Sequence, residues 1–101
     1  MSAPTSKKVA VILMKSEEAD ATIDVLERDL PGVEVTDNGT YWQISADGEI
    51  VVSMDKVGQE LGRPLQLSQW LVIMSSFVGR AAPGPDFFRV TSQMVELEAG
   101  A

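Results

Sequence analysis

The sequence contains no histidine and no cysteine among its 101 residues. Zinc, copper and haem sites depend on these side chains, so a metal site of that kind would lack its usual ligands here. Catalytic triads and dyads that need an imidazole or a thiolate are excluded for the same reason. Only carboxylate chemistry, a serine with a lysine, or a metal site made of oxygen ligands stays open to this chain.

Long apolar runs are missing too. The longest covers 9–14, which is far too short to cross a bilayer, and no signal peptide precedes it. The absence of cysteine agrees with a reducing compartment. We therefore predict a cytoplasmic protein with no membrane partner. Its single domain should cover 9–97, between a flexible N-terminal segment at 1–8 and a C-terminal tail at 98–101.

The net charge of −7 is unevenly distributed. Residues 16–62 hold 12 acidic side chains against Arg28 and Lys56. An acidic surface repels phosphate backbones, so we expect no nucleic-acid partner. Two interpretations of the acids stay open: they keep the domain soluble, or they favour a basic partner surface.

Three helices are predicted. Ser16 is a good N-cap for a main helix at 17–30, whose apolar stripe consists of Ala19, Ile23, Leu26 and Leu30. Shorter helices are expected near 54–61 and 67–71. Ser53 should cap the first of them, and Gly62 should end it in the left-handed conformation.

The strand pattern predicts an α+β fold of antiparallel hairpins. A run at 9–14 is typical of a strand buried on both faces. Strands at 33–36, 40–46 and 49–53, joined by tight turns at Asp37-Asn38-Gly39 and Asp47-Gly48, predict an antiparallel meander. A final hairpin should join a strand from Val72 onward to one at 87–92. The predicted class is thus α+β, with hairpins and a meander packed against one main helix and two short ones.

Few residues are candidates for chemistry. Asp37, Asp47 and Glu49 are carboxylates, but turn formation explains all three. Ser75 and Ser76 have no histidine to activate them. We therefore expect no catalytic, cofactor-binding or metal-binding residue.

The segment after the last helix favours binding. If Val72, Met74 and Val78 face the core, then Ile73 and Phe77 stand outward together. Exposed apolar patches of that kind often mark a partner surface. The alternative is a helix that covers this face.

Several short words, in this order and at this spacing, resemble the MmoB/DmpM family. They are Tyr41-Trp42-Gln43-Ile44, Asp47-Gly48-Glu49-Ile50, Leu61-Gly62-Arg63, Ser75-Ser76-Phe77-Val78-Gly79-Arg80-Ala81 and Phe88-Arg89-Val90-Thr91-Ser92. The resemblance covers roughly 9–97 and is strongest to the methane monooxygenase branch. This family comprises the regulatory, or coupling, proteins of soluble bacterial diiron monooxygenases.

The resemblance implies a cofactor-free, non-catalytic protein that binds the hydroxylase component of such an enzyme. There it would tune substrate access, oxygen reactivity and the coupling of NADH use to hydrocarbon oxidation. Phe77 stands where the methane branch has a threonine, which points to an alkene or another small hydrocarbon. We expect a monomer when free. The predicted partner-binding residues are Lys15, Ile73, Ser75, Ser76, Phe77, Gly79 and Arg80.

Two other functions stay open from the residues alone. One is a generic interaction domain without an oxygenase partner. The other is a small enzyme that works through carboxylates, which predicts activity of the isolated protein.

Overall fold

The computed structural model describes residues 8–92, and the predicted α+β class is confirmed. The elements are β1 (Lys8–Met14), α1 (Glu17–Asp29), β2 (Glu34–Asp37), β3 (Tyr41–Asp47), β4 (Glu49–Ser53), α2 (Met54–Leu61), α3 (Leu67–Ile73), β5 (Met74–Val78), β6 (Arg80–Ala81) and β7 (Phe87–Thr91). Lys8, placed by prediction in the flexible segment, lies in β1. Residues 1–7 and 93–101, which hold the rest of that segment, the end of the predicted domain and the predicted tail, lie outside the described residues.

The predicted ends of two helices are confirmed. Ser16 Oγ accepts a hydrogen bond from the Ala19 backbone N–H at 3.0 Å, which satisfies one of the free donors at the start of α1. Ser53 Oγ accepts from the Lys56 N–H at the start of α2, and Gly62 ends that helix with φ 80°. The third helix is longer than predicted, because α3 continues through Val72 to Ile73.

The buried side of α1 is broader than the predicted stripe. Ala19 and Leu26 are buried as expected, but Ile23 and Leu30 are only half-buried. The other buried residues of this helix are Ala21, Thr22 and Val25. Because α1 packs against α2 as well as α3, its buried surface includes positions that a single stripe leaves out.

The strands form two antiparallel sheets. One has four strands in the order β2-β3-β1-β5, and the other has three in the order β4-β7-β6. The predicted meander is therefore wrong at its third strand: β4 pairs with β7. The physical reason is that both edges of β3 are already paired, one with β2 and the other with β1, so the chain turns at Gly48 into the second sheet.

The predicted last hairpin is also divided between the sheets. β5 pairs with β1, and only Arg80 and Ala81 of β6 pair with β7. Gly79 lies at the change of sheet with φ 128°. A Cβ atom there would lie 2.8 Å from the Thr91 carbonyl oxygen, so only glycine lets the strand pass this close to β7.

The two sheets and the helices share one core. Val9, Val11 and Leu13 of β1 face it, as does the fully buried Trp70 of α3. Trp70 Nε1–H donates to Thr22 Oγ1 at 3.0 Å, which satisfies the buried indole donor and ties α3 to α1.

Candidate partner-binding surface

A β-bulge in β5 positions the predicted binding residues. The register pairs Val11 with Phe77, Ile12 with Ser76 and Leu13 with Met74, which leaves Ser75 as the extra residue. Ser75 Oγ–H donates to the Ile12 carbonyl oxygen at 3.4 Å. A bulge of this kind changes the phase of side-chain alternation along the strand.

This phase change overturns the predicted faces. Val72 and Val78 were expected in the core but are 77% and 57% exposed. Met74 packs against the core as expected, but so does Ile73, which was expected to stand outward. There are two causes: the helix extends to Ile73, and the bulge at Ser75 then reverses the alternation that a regular strand would have.

Phe77 lies between core and solvent. Its partner across the sheet is Val11, a core residue, so its ring is on the inner face. The ring contacts Phe88 edge-on at 5.8 Å between centroids, yet 38% of the residue is exposed. The expectation that Phe77 and Ile73 stand outward together is therefore wrong.

The rest of the predicted segment is exposed and uncharged up to Arg80. Ser75, Ser76 and Arg80 are exposed, and Gly79 is half-buried at the bend. No acidic or basic residue occurs anywhere in 64–79. In a chain of net charge −7, this segment offers apolar and hydroxyl groups without electrostatic repulsion.

Lys15 lies apart from this segment, directly after β1 and beside the turn between β2 and β3. Its Nζ is 2.6 Å from Asp37 Oδ1 and 4.5 Å from the centre of the Trp42 ring. The hydrogen bond from Lys15, with a second from the Gly39 N–H, lowers the pKa of the Asp37 carboxyl. These contacts give Lys15 a structural role, since it links the end of β1 to the hairpin of β2 and β3.

Sequence reasoning missed the residues on the side of the four-stranded sheet that faces away from the core. Met14 and Tyr41, which pair across β1 and β3, are 53% and 39% exposed. Two signals in the sequence could have found this surface: the alternation within each strand, and the absence of charge in 64–79.

The carboxylates considered for catalysis are engaged with neighbouring cations. Glu49 pairs with Arg89, Asp37 with Lys15, and Asp47 lies 4.0 Å from Lys8. Across residues 8–92, no group of three or more metal-ligating side chains is placed to hold a metal ion. No helix in this part of the chain is long and apolar enough to cross a membrane.

Comparison with known sequences matches one protein family along most of the chain. The model of the MmoB/DmpM family matches residues 7–91. Methane monooxygenase regulatory protein B of Methylosinus trichosporium is 35% identical over 98 residues, which cover 92% of this chain and 71% of that protein. The effector subunit of the alkene monooxygenase system of Xanthobacter autotrophicus is 35% identical over 74 residues, covering 71% of this chain and 73% of that subunit.

Solved structures share the fold. The soluble methane monooxygenase regulatory protein B superposes with a TM-score of 0.71 at 34% identity, covering 97% of this chain and 74% of that chain. A chain in the phenol hydroxylase–regulatory protein complex superposes with a TM-score of 0.76 over 84% of this chain and 98% of its own, but at 18% identity it shows the fold alone. On the sequence match and the fold together, the chain belongs to the MmoB/DmpM family.

Proposed function

We propose that this protein is the regulatory component of a multicomponent diiron monooxygenase in the cytoplasm. It binds the hydroxylase component and tunes substrate access, oxygen activation and the coupling of NADH use to hydrocarbon oxidation. The observation that carries this proposal is the match over nearly the whole chain to a regulatory protein and an effector subunit of monooxygenases. In this proposal the cofactor and the catalytic groups belong to the hydroxylase.

Its action is allosteric. A protein without catalytic groups changes turnover only through a difference in its affinity for two states of the enzyme. It therefore binds one state of the hydroxylase more tightly and shifts the population toward that state. A shift of that state from about 1% to about 99% of the population requires an affinity ratio on the order of 10⁴.

The contacts we propose centre on β5. The exposed side chains of Ser75, Ser76 and Arg80 and the exposed edge of Phe77 touch the hydroxylase. Ile73 and Gly79 shape the segment, because one packs on the core and the other forms the bend. Lys15 contributes indirectly, because its ion pair with Asp37 stabilises the neighbouring hairpin of β2 and β3.

Calorimetric titration of this protein into the matching hydroxylase tests the proposal. We expect saturable binding with different dissociation constants for the oxidised and reduced hydroxylase. Equal affinity for both states would contradict the allosteric action. No binding to either state would leave the generic interaction domain as the better description.

The substrate we propose is an alkene or another small hydrocarbon. Phe77 supports this, because it would present a bulkier apolar group to the hydroxylase than a threonine does. The similarity to an alkene monooxygenase effector subunit agrees with it. Turnover of the reconstituted system with methane, propene and toluene should be fastest with propene; fastest turnover of toluene would refute the assignment.

A further inference from the structure

The chain contains a single asparagine, and a glycine follows it directly. Asn38 and Gly39 lie in the turn between β2 and β3, where residues 37–40 are all exposed. In such a pair the backbone nitrogen of the glycine can attack the side-chain amide carbon of the asparagine. Glycine has no Cβ to obstruct the attack. This turn therefore holds the one pair of residues in the sequence that is suited to asparagine deamidation.

The side chain of Asn38 is held weakly, although its backbone is fixed. Its Nδ2–H donates to Gln43 Oε1 across 3.4 Å, which is longer than the usual range for such a bond. The backbone N–H of Asn38 is better engaged, since it lies 3.0 Å from the Tyr41 carbonyl oxygen. The turn thus keeps Asn38 and Gly39 at the surface, while the side-chain amide can rotate toward the glycine nitrogen.

Asp37 places a proton acceptor at the attacking atom. The Gly39 N–H donates to Asp37 Oδ1 at 2.9 Å, so the carboxylate already contacts the proton that this nitrogen must lose. Lys15 Nζ lies 2.6 Å from the same oxygen. The hydrogen bonds from Lys15 and from Gly39 lower the pKa of the Asp37 carboxyl, which is therefore ionised and able to accept at neutral pH.

We propose that Asn38 is a site of spontaneous deamidation, with Asp37 as the general base. The Gly39 nitrogen forms a bond to Cγ of Asn38 while its proton passes to Asp37, and the side-chain nitrogen of Asn38 takes up a proton and leaves as ammonia. Water then opens the cyclic succinimide at either of its carbonyl groups, which gives aspartate or isoaspartate at this position. The net change is the uptake of one water and the release of one ammonia.

Both products alter the hairpin that Lys15 stabilises. A carboxylate at position 38 adds a negative charge beside Asp37 in a chain whose net charge is already −7. The isoaspartyl product also moves one methylene from the side chain into the backbone. This lengthens the turn that is closed by the hydrogen bond from the N–H of residue 38 to the Tyr41 carbonyl oxygen. We therefore expect the isoaspartyl form to lose that hydrogen bond.

Storage of the unmodified protein at neutral pH, followed by peptide mapping with mass spectrometry, tests the site. Deamidation should accumulate at Asn38, and isoaspartyl methyltransferase should label the same peptide. Gln59 is the internal control, because it is an exposed amide on α2 that precedes Glu60 instead of a glycine. Isomerisation at Asp47-Gly48 leaves the mass unchanged and is not mistaken for this reaction. Deamidation no faster at Asn38 than at Gln59 would overturn the proposal.

Asp37→Ser tests the general base. A serine hydroxyl can still accept from the Gly39 N–H, but it takes up a proton far less readily than a carboxylate. We expect Asn38 to deamidate severalfold more slowly in this variant. Lys15→Gln is the matched control, since it breaks the same ion pair but keeps the carboxylate, and it should not slow the reaction. An equal or faster rate in Asp37→Ser would overturn the role of Asp37.

The isoaspartyl form, separated from the stored protein by chromatography, tests the effect on the hairpin. It should unfold at a lower urea concentration than Asn38→Asp, which carries the same added charge without the longer backbone. Equal midpoints for the two proteins would contradict the loss of the hydrogen bond to Tyr41.

Discussion

Phe77 connects the proposed partner surface to the core. Its ring meets Phe88, and Phe88 in turn lies 5.4 Å from Trp70 between ring centroids. Trp70 is fully buried and bonded to Thr22 of α1. A contact made at Phe77 therefore acts on the rings of Phe88 and Trp70, which pack β7 and α3 together and connect them to α1.

Phe77→Ala should weaken the complex with the hydroxylase by about 2 kcal/mol or more, as expected for an aromatic anchor. Titration calorimetry measures the loss, and urea unfolding reports any change in stability separately. Val51→Ala, which truncates another exposed apolar side chain, should bind normally. A dissociation constant unchanged by Phe77→Ala would remove this residue from the partner surface.

Asp37 makes stability depend on pH. Lys15 and the Gly39 N–H lower the pKa of this carboxyl in the folded protein below its usual value of 3.8. The unfolded chain therefore takes up the proton first as the pH falls. The stabilisation is complete above that value and is lost as the pH falls through the lower folded pKa.

We accordingly expect Asp37→Asn to lose less stability than the unmodified protein between pH 5 and pH 3, by urea unfolding at each pH. Asp24→Asn is the control, because Asp24 is exposed on α1 and has no ion pair among those seen in residues 8–92. The same pH dependence in the unmodified and Asp37→Asn proteins would contradict the role given to the Lys15 pair.

Among the helices and strands, the features that depend only on neighbouring residues in the sequence were predicted correctly. Caps such as Ser16, Ser53 and Gly62 act within one turn of a helix, so α1 and α2 were found nearly to the residue. The strand pairing depended on Gly48 and Gly79, where two strands change sheet. At Asp47-Gly48 a tight turn and a change of sheet share the same signal, so the sequence could not separate them.

The prediction of which β5 side chains face the core failed for a related reason. Alternation predicts which side chains share a face only while the strand is regular. The bulge at Ser75 depends on pairing with Ile12 and Leu13, residues far away in sequence. The strand was therefore predicted correctly over 74–78, but Val72 and Ile73 are helical, and the orientation of Phe77 was wrong.

Gly79→Ala should destabilise the protein by about 1–3 kcal/mol or more, because the positive φ and the overlap with β7 both oppose a side chain. Gly48→Ala is the matched control: it has φ 84° but no atom within 4 Å of the new Cβ, so it reports the backbone strain alone. Urea unfolding should show the larger loss for Gly79→Ala. Equal losses would mean that close packing against Thr91 is not what requires glycine.

The whole molecule has two chemically different sides. Helix α1 carries exposed acids at Glu17, Asp20, Asp24 and Glu27, while 64–79 carries none. This division suits a protein that must stay soluble alone and yet cover an uncharged area of a partner. The family could be assigned from the sequence, because short motifs in a fixed order cover most of the chain. Alternation could indicate the outward residues of each strand, but not that they form one surface, because this depends on the pairing of β1 with both β3 and β5.

The most direct test of the regulatory role is hydrocarbon oxidation by the matching hydroxylase and reductase, titrated with this protein while product and NADH are measured together. We predict a saturable rise in product, or in product formed per NADH, and no oxidation by this protein alone. An active hydroxylase whose product yield and NADH use stay constant across the titration would contradict the account.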